Sequence, residues 1–186
     1  MLMGERTVDD RPTTAVDDRR LSAGLLATAL EDDLVGEGWG QPVHDFRWGS
    51  HGVAFKHAER FLRLYIVDRP GRPVRCDLAC DDARVYWSVM ILGPTVGGLR
   101  AAVRAATTDS SDTEADLVVW LRVAGWELNL RPDRPGGSAW AIRPDRRRYV
   151  VRGTRSAGGW SIQGDGIDVD ASGGTPFALV AALALS

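Results

Sequence analysis

Lysine is nearly missing from this 186-residue chain: of its 23 basic residues, 22 are arginines and one is Lys56. Asn129 is the only asparagine. Both scarcities are what a GC-rich coding sequence produces, and neither bears on function. Two cysteines, Cys76 and Cys80, are too few for a disulfide framework, which points to a reducing, cytoplasmic setting. No apolar run approaches the roughly 18 residues that a membrane span needs. The opening MLMGERTVDD also lacks the apolar core of a secretion signal, so no membrane partner is expected. No Gly-x-Ser-x-Gly elbow, phosphate loop or dinucleotide fingerprint occurs. His44, His51 and His57 lie near Asp45 and Ser50, and with Ser88 they assemble a catalytic triad only on paper. The expectation is a protein that is not an enzyme and carries no cofactor.

What is present points to an ordinary globular chain. Hydrophobic residues make up 44% and charged residues 26%, while 21 glycines and seven tryptophans argue against a plain helical bundle and against wholesale disorder. Residues 1–19 are polar and acidic, with an echo of Val8-Asp9-Asp10-Arg11 in Val16-Asp17-Asp18-Arg19, and read as a flexible tail.

The chain resembles itself at two offsets. A shift of 87 carries Leu30, Leu34, Gly38, Trp39 and Gly49 onto Leu117, Leu121, Gly125, Trp126 and Gly136. It also carries Ala54, Lys56, Arg60 and Leu64 onto Ala141, Arg143, Arg147 and Val151. Further on a shift of 80 carries Gly93, Thr95, Leu99, Ala101 and Ala102 onto Gly173, Thr175, Leu179, Ala181 and Ala182. Ordered matches of this kind indicate a duplicated unit. The units are expected over 20–106 and 113–186, joined by the linker 107–112.

Each unit reads as a helix, an antiparallel meander and a second helix. The first helices are expected over Leu21–Gly36, with an apolar stripe of Leu25, Leu26, Leu30 and Leu34, and over Thr113–Ala124, capped by Thr113 and Asp116. Gly38 and Gly125 stop them in the left-handed conformation, and the tryptophan after each folds back. Strands are expected near 43–48, 52–57, 60–67, 74–80 and 84–92, and again near 126–131, 138–143, 146–152, 159–163 and 166–171. Turns fall at Arg69-Pro70-Gly71, Pro135-Gly136-Gly137 and Ala157-Gly158-Gly159. Thr95 and Thr175 cap the closing helices, with Pro176 at the first helical position. The fold class is therefore α+β, two tandem helix–meander–helix units packed about a pseudo-two-fold axis. A homodimer is expected through a sheet edge or the Ala-rich helix 178–185.

The Gly125-Trp126 pair and the run Gly173-Gly174-Thr175-Pro176-Phe177-Ala178-Leu179-Val180-Ala181-Ala182 resemble a domain of unknown function found in tandem in actinobacterial proteins. The first unit departs from that pattern at 93–99, and the resemblance implies no activity. In architecture alone the arrangement is similar to PUR-type and whirly-type modules, whose likeness implies single-stranded nucleic-acid binding.

The net charge of −2 conceals segregation. Residues 47–75 carry seven basic and two acidic side chains, and residues 131–155 carry eight and two. Acid collects elsewhere, in residues 1–36, 107–127 and 156–186. Strand alternation places Leu62, Leu64 and Ile66 inward, with Phe61, Arg63 and Tyr65 outward. In the second unit it places Tyr149 and Val151 inward, with Arg148, Val150 and Arg152 outward. Guanidinium groups fork onto phosphate and aromatic rings stack on bases. The expected nucleic-acid surface is Lys56, Arg60, Phe61, Arg63, Tyr65, Trp140, Arg143, Arg146, Arg148, Arg152 and Arg155. The alternative is a protein-interaction adapter or immunity-type protein.

Metal sites are not expected. Cys76 and Cys80 share a strand face, with His51 or His57 on neighbouring strands, but read as two small buried hydrophobes. Asp165, Asp168 and Asp170 lack calcium-loop spacing; Asp168 and Asp170 read as the wet face of a strand whose core face is Ile167 and Val169. Trp48 and Trp140 are the tryptophans expected at the surface.

Overall fold

The structure is a computed structural model that describes residues 22–47, 50–108, 111–129, 140–152 and 158–186. The tail 1–19, Trp48, Gly49, the turn 135–137 and Arg155 lie outside the described residues.

Helix α1 (Ala23–Gly36) is followed by five strands: β1 (Val43–Arg47), β2 (Ser50–Lys56), β3 (Leu62–Asp68), β4 (Arg75–Asp81) and β5 (Tyr86–Leu92). Helix α2 (Val96–Thr107) closes this half. The second half repeats the order with α3 (Glu114–Val123), β6 (Glu127–Leu128), β7 (Ala141–Ile142), β8 (Arg148–Arg152), β9 (Trp160–Gly164), β10 (Ile167–Ala171) and α4 (Phe177–Leu185). The ten strands of the described residues form one antiparallel sheet in the order β1-β2-β3-β4-β5-β10-β9-β8-β7-β6, so the protein is α+β as expected. The halves meet at β5 and β10, where Ile91 pairs with Val169 and Met90 with Asp170.

Local chemistry explains the helix ends. Ser22 accepts from the Leu25 N–H, Thr95 from the Gly98 N–H, and Thr113 and Asp116 form a reciprocal capping box. Gly38 (φ +90°) and Gly125 (φ +82°) terminate α1 and α3, and the next N–H, of Trp39 or Trp126, returns to Leu34 or Leu121. Both tryptophan rings are buried. Thr175 does not cap α4: Pro176 takes that place without a side-chain bond, and the Thr175 N–H bonds the Ser172 carbonyl instead. The turn at 172–175 consumes the threonine before the helix begins.

The four helices of the described residues cover one face of the sheet. α2 packs on α4, with α1 beside α2 and α3 beside α4. Val53, Phe55, Leu64, Ile66, Leu78, Val89, Ile91, Ile162 and Val169 point toward them and are fully buried. Each such side chain contributes about 1.5–3 kcal/mol. α4 packs in this layer with Leu179, Val180, Ala181, Leu183 and Ala184 buried, while Phe177, Ala178 and Ala182 are half-buried and Leu185 is exposed. Cys76 and Cys80 are buried on the same side, and burial pushes the Cys76 thiol upward. The opposite face of the sheet is covered by no described helix.

One strand faces the other way from expectation. Val150 is fully buried and Arg148 nearly so, while Tyr149 sits half-buried on the uncovered side. The register shows why. Phe55 pairs with Leu64, and Ala141 with Val150. Corresponding hairpin positions thus differ by 86 (64 to 150), one less than the 87 that relates Trp39 to Trp126. A single-residue slip moves every side chain of a strand to the other face.

Candidate interaction surface

The uncovered face is built from the residues between the core positions. In β2 and β3 these include Lys56, Arg63 and Tyr65, all exposed, as expected. Gly52 makes room for the tyrosine, because a Cβ there would overlap the Tyr65 ring. Arg63 forms an ion pair with Asp81 at 2.8 Å, and Arg75 pairs with Asp77 at 2.9 Å. Across the centre the register aligns Tyr65, Asp77, Met90, Asp170 and Ser161 in one row. Asp168 and Asp170 lie on this face and Ile167 and Val169 in the core, as the alternation implies. In the second half the positions matching Lys56, Arg63 and Tyr65 are Ile142, Tyr149 and Val151. There the Tyr149 hydroxyl donates to Gln163 Oε1 at 2.6 Å, and Gln163 Nε2 donates to Ser161.

The eleven residues expected to bind nucleic acid therefore do not converge. Lys56, Arg60, Phe61, Arg63 and Tyr65 cluster around the start of β3. Arg148 lies five strand positions away, roughly 24 Å, and points to the helix side. Its Nη1 donates to the carbonyls of Ala184, at 3.2 Å, and Ser186. A guanidinium there complements the C-terminal end of the α4 dipole. Burial, and then Arg143, depress its pKa. Arg152 is exposed but bonds Glu114 at 2.6 Å and lies 5.4 Å over the Trp160 ring. Arg143 is held by Asp145 at 2.7 Å and by Asp165, and the Asp145 bond raises its pKa most. The same pairing, with the Arg147 N–H, draws Asp145 down to about 2. Arg146 is exposed in the hairpin at φ +58°. Trp140 is half-buried against Trp160, edge to face at 5.1 Å, rather than on the surface.

Two residues unmarked by sequence reasoning join the first cluster. The Asp81 N–H bonds the Phe61 carbonyl, and Asp81 pairs with Tyr86, so Phe61, Asp81 and Tyr86 form a row across three strand ends. Phe61 is 63% exposed, Tyr86 65% and the adjacent Val85 50%. Phe61 has φ +54°, a conformation that costs a bulky residue energy and is held here by backbone bonds on both sides, His57 N–H to Leu62 O and Asp81 N–H to Phe61 O. Alternation with core Trp87 could have flagged Tyr86. The surrounding charges are mixed: Lys56, Arg60, Arg63 and Arg84 stand with Glu59, Asp81 and Asp82.

Of the three histidines, His57 is structural. Its Nε2–H donates to the Glu37 carbonyl at 3.1 Å, and its Nδ1 accepts from the Glu59 N–H. An open groove of about 950 Å³ lies at the other end of the sheet, lined in part by Ser22, Arg69, Arg72, Thr95 and Asp165. Asp165 is already engaged by Arg143. Among the described residues, no three His, Cys, Asp or Glu side chains gather as a metal site, and no helix is long and apolar enough to cross a membrane. Comparison with protein-family models, curated proteins and solved structures finds no match to this chain.

Proposed function

We propose that this chain is a non-enzymatic binding protein that holds a protein partner on the Phe61–Tyr86 end of its uncovered sheet face. The observation that carries this reading is the exposed row of Phe61, Asp81 and Tyr86, with Phe61 kept at positive φ and Val85 beside it. Aromatic anchors ringed by paired charges, here Arg63 with Asp81, suit a protein interface. A nucleic-acid strand crossing the face would meet Asp77, Asp168 and Asp170 at its centre and neutral Ile142, Tyr149 and Val151 beyond. The reading also takes the two halves as copies of one unit, paired about a two-fold axis near Met90 and Asp170.

The test uses the full chain and the double variant Phe61→Asn with Tyr86→Ser. Asparagine tolerates the left-handed conformation, so the fold is retained while both rings are lost. The expected result is a protein partner that survives nuclease treatment and is captured at least ~10-fold less by the variant, the loss typical of two interface anchors. Labelled single-stranded oligonucleotides should not bind at about 50 mM salt. Nuclease-sensitive capture with steeply salt-dependent oligonucleotide binding would instead establish nucleic acid as the ligand. Equal capture by the variant would refute the surface.

A further inference from the structure

A second cluster lies at the outer edge of the sheet, apart from the surface just described. Among the described residues, β1 is an edge strand, paired only with β2. The register sets Phe46 opposite His51 and His44 opposite Val53, which leaves His44 and His51 diagonal neighbours on one face. Their ring nitrogens, His44 Nδ1 and His51 Nε2, are 3.0 Å apart. Phe46, 74% exposed, stacks on the His51 ring at 4.3 Å with 3° between the planes. On the other side His51 lies against Gly24 in the first turn of α1, where a Cβ would come within 3.1 Å of its Cε1. His51 is thus held between a phenyl ring and a glycine, while His44 is exposed beside it.

We infer that His44 and His51 form a two-imidazole chelate for a divalent transition-metal ion of the zinc, nickel or copper class. Two nitrogens 3.0 Å apart can both lie about 2.0–2.1 Å from one ion at an angle near 90°, after a small pivot of the exposed His44 ring. Imidazole suits these ions, whereas calcium and magnesium favour oxygen donors. With the ion bound through His44 Nδ1 and His51 Nε2, the protons sit on the remaining ring nitrogens, His44 Nε2 and His51 Nδ1. The hydrogen bond between the rings is exchanged for two bonds to the metal, and other positions on the ion stay open to water. The ion would clip β1 to β2.

Calorimetric titration of the full chain with zinc chloride tests this, with magnesium chloride as the comparison. One zinc ion per chain is expected, with affinity reduced at least ~10-fold by His44→Gln or His51→Gln, the scale of losing one ligand or more. His57→Gln and the Cys76→Ser, Cys80→Ser pair should leave it unchanged. Zinc should also slow hydrogen exchange of the β1 amides in the parent chain and not in His44→Gln. Absence of zinc binding overturns the inference, as does undiminished binding in the His44→Gln, His51→Gln double variant.

Discussion

The hairpins β2–β3 and β7–β8 occupy matching places in the two halves, yet they treat arginine in opposite ways. The first turns Arg63 and Tyr65 to the open side and packs Leu62, Leu64 and Ile66 under the helices. The second sends Arg148, Val150 and Arg152 to the helix side. Arg148 stands where the first half has Leu62, and it binds the end of α4 where leucine only packs. Similar residues in similar elements thus acquire different roles from one residue of register. A basic segment on a strand carries no functional message until its register is known.

The sharpest test of this contrast is at the end of β9. Gly164 matches Cys80 of β4, but a Cβ at Gly164 would overlap the Arg147 carbonyl, and its φ is +116°. Gly164→Ala should therefore cost about 3–5 kcal/mol, since both the space and the dihedral exclude a side chain. Cys80→Ala should cost only about 1 kcal/mol. Urea denaturation of both variants measures the difference, and similar costs would mean that the hairpins are seated alike.

Arg148→Ala comes next. It strips the α4 carbonyls of their donor and should cost about 2–3 kcal/mol, a fall in Tm of roughly 5–10 °C for a chain of this size. Arg63→Ala on the solvent side should cost within about 0.5 kcal/mol. Equal losses in the two variants would contradict the burial of Arg148.

The smallest effect is the ion pair in the second hairpin. Asp145 lies at about 2 in the folded chain, below the ordinary 3.8. A depressed carboxyl adds stability that is present above its unfolded value and lost as pH falls toward the folded one. Its carboxyl resonance should titrate at about 2 in a pH series followed by NMR, and Arg143→Gln should move the midpoint up. A midpoint near 3.8 in the parent chain would show that the pair does not form in solution.

Much of the fold was legible because it rests on local rules. The capping box at Thr113, the left-handed stops at Gly38 and Gly125 and the alternation of β3 depend on neighbours a few residues apart. Thr175 misled because Thr95 caps in the first half, whereas Pro176 and the turn at 172–175 pre-empt the cap in the second. The candidate surface was half legible. Lys56, Phe61, Arg63 and Tyr65 were found, but Tyr86 and Val85 join them only through strand pairing, which no linear pattern displays.

By itself, the sequence determined the α+β class, the order of elements and the core face of the first half, since apolar periodicity and cap chemistry act over short spans. The tertiary structure decided which face β8 shows, which guanidiniums remain outside, and that Phe61 and Tyr86 share a row. Those outcomes depend on register between strands distant in the chain, and a one-residue slip reverses them while barely altering the pattern of residues.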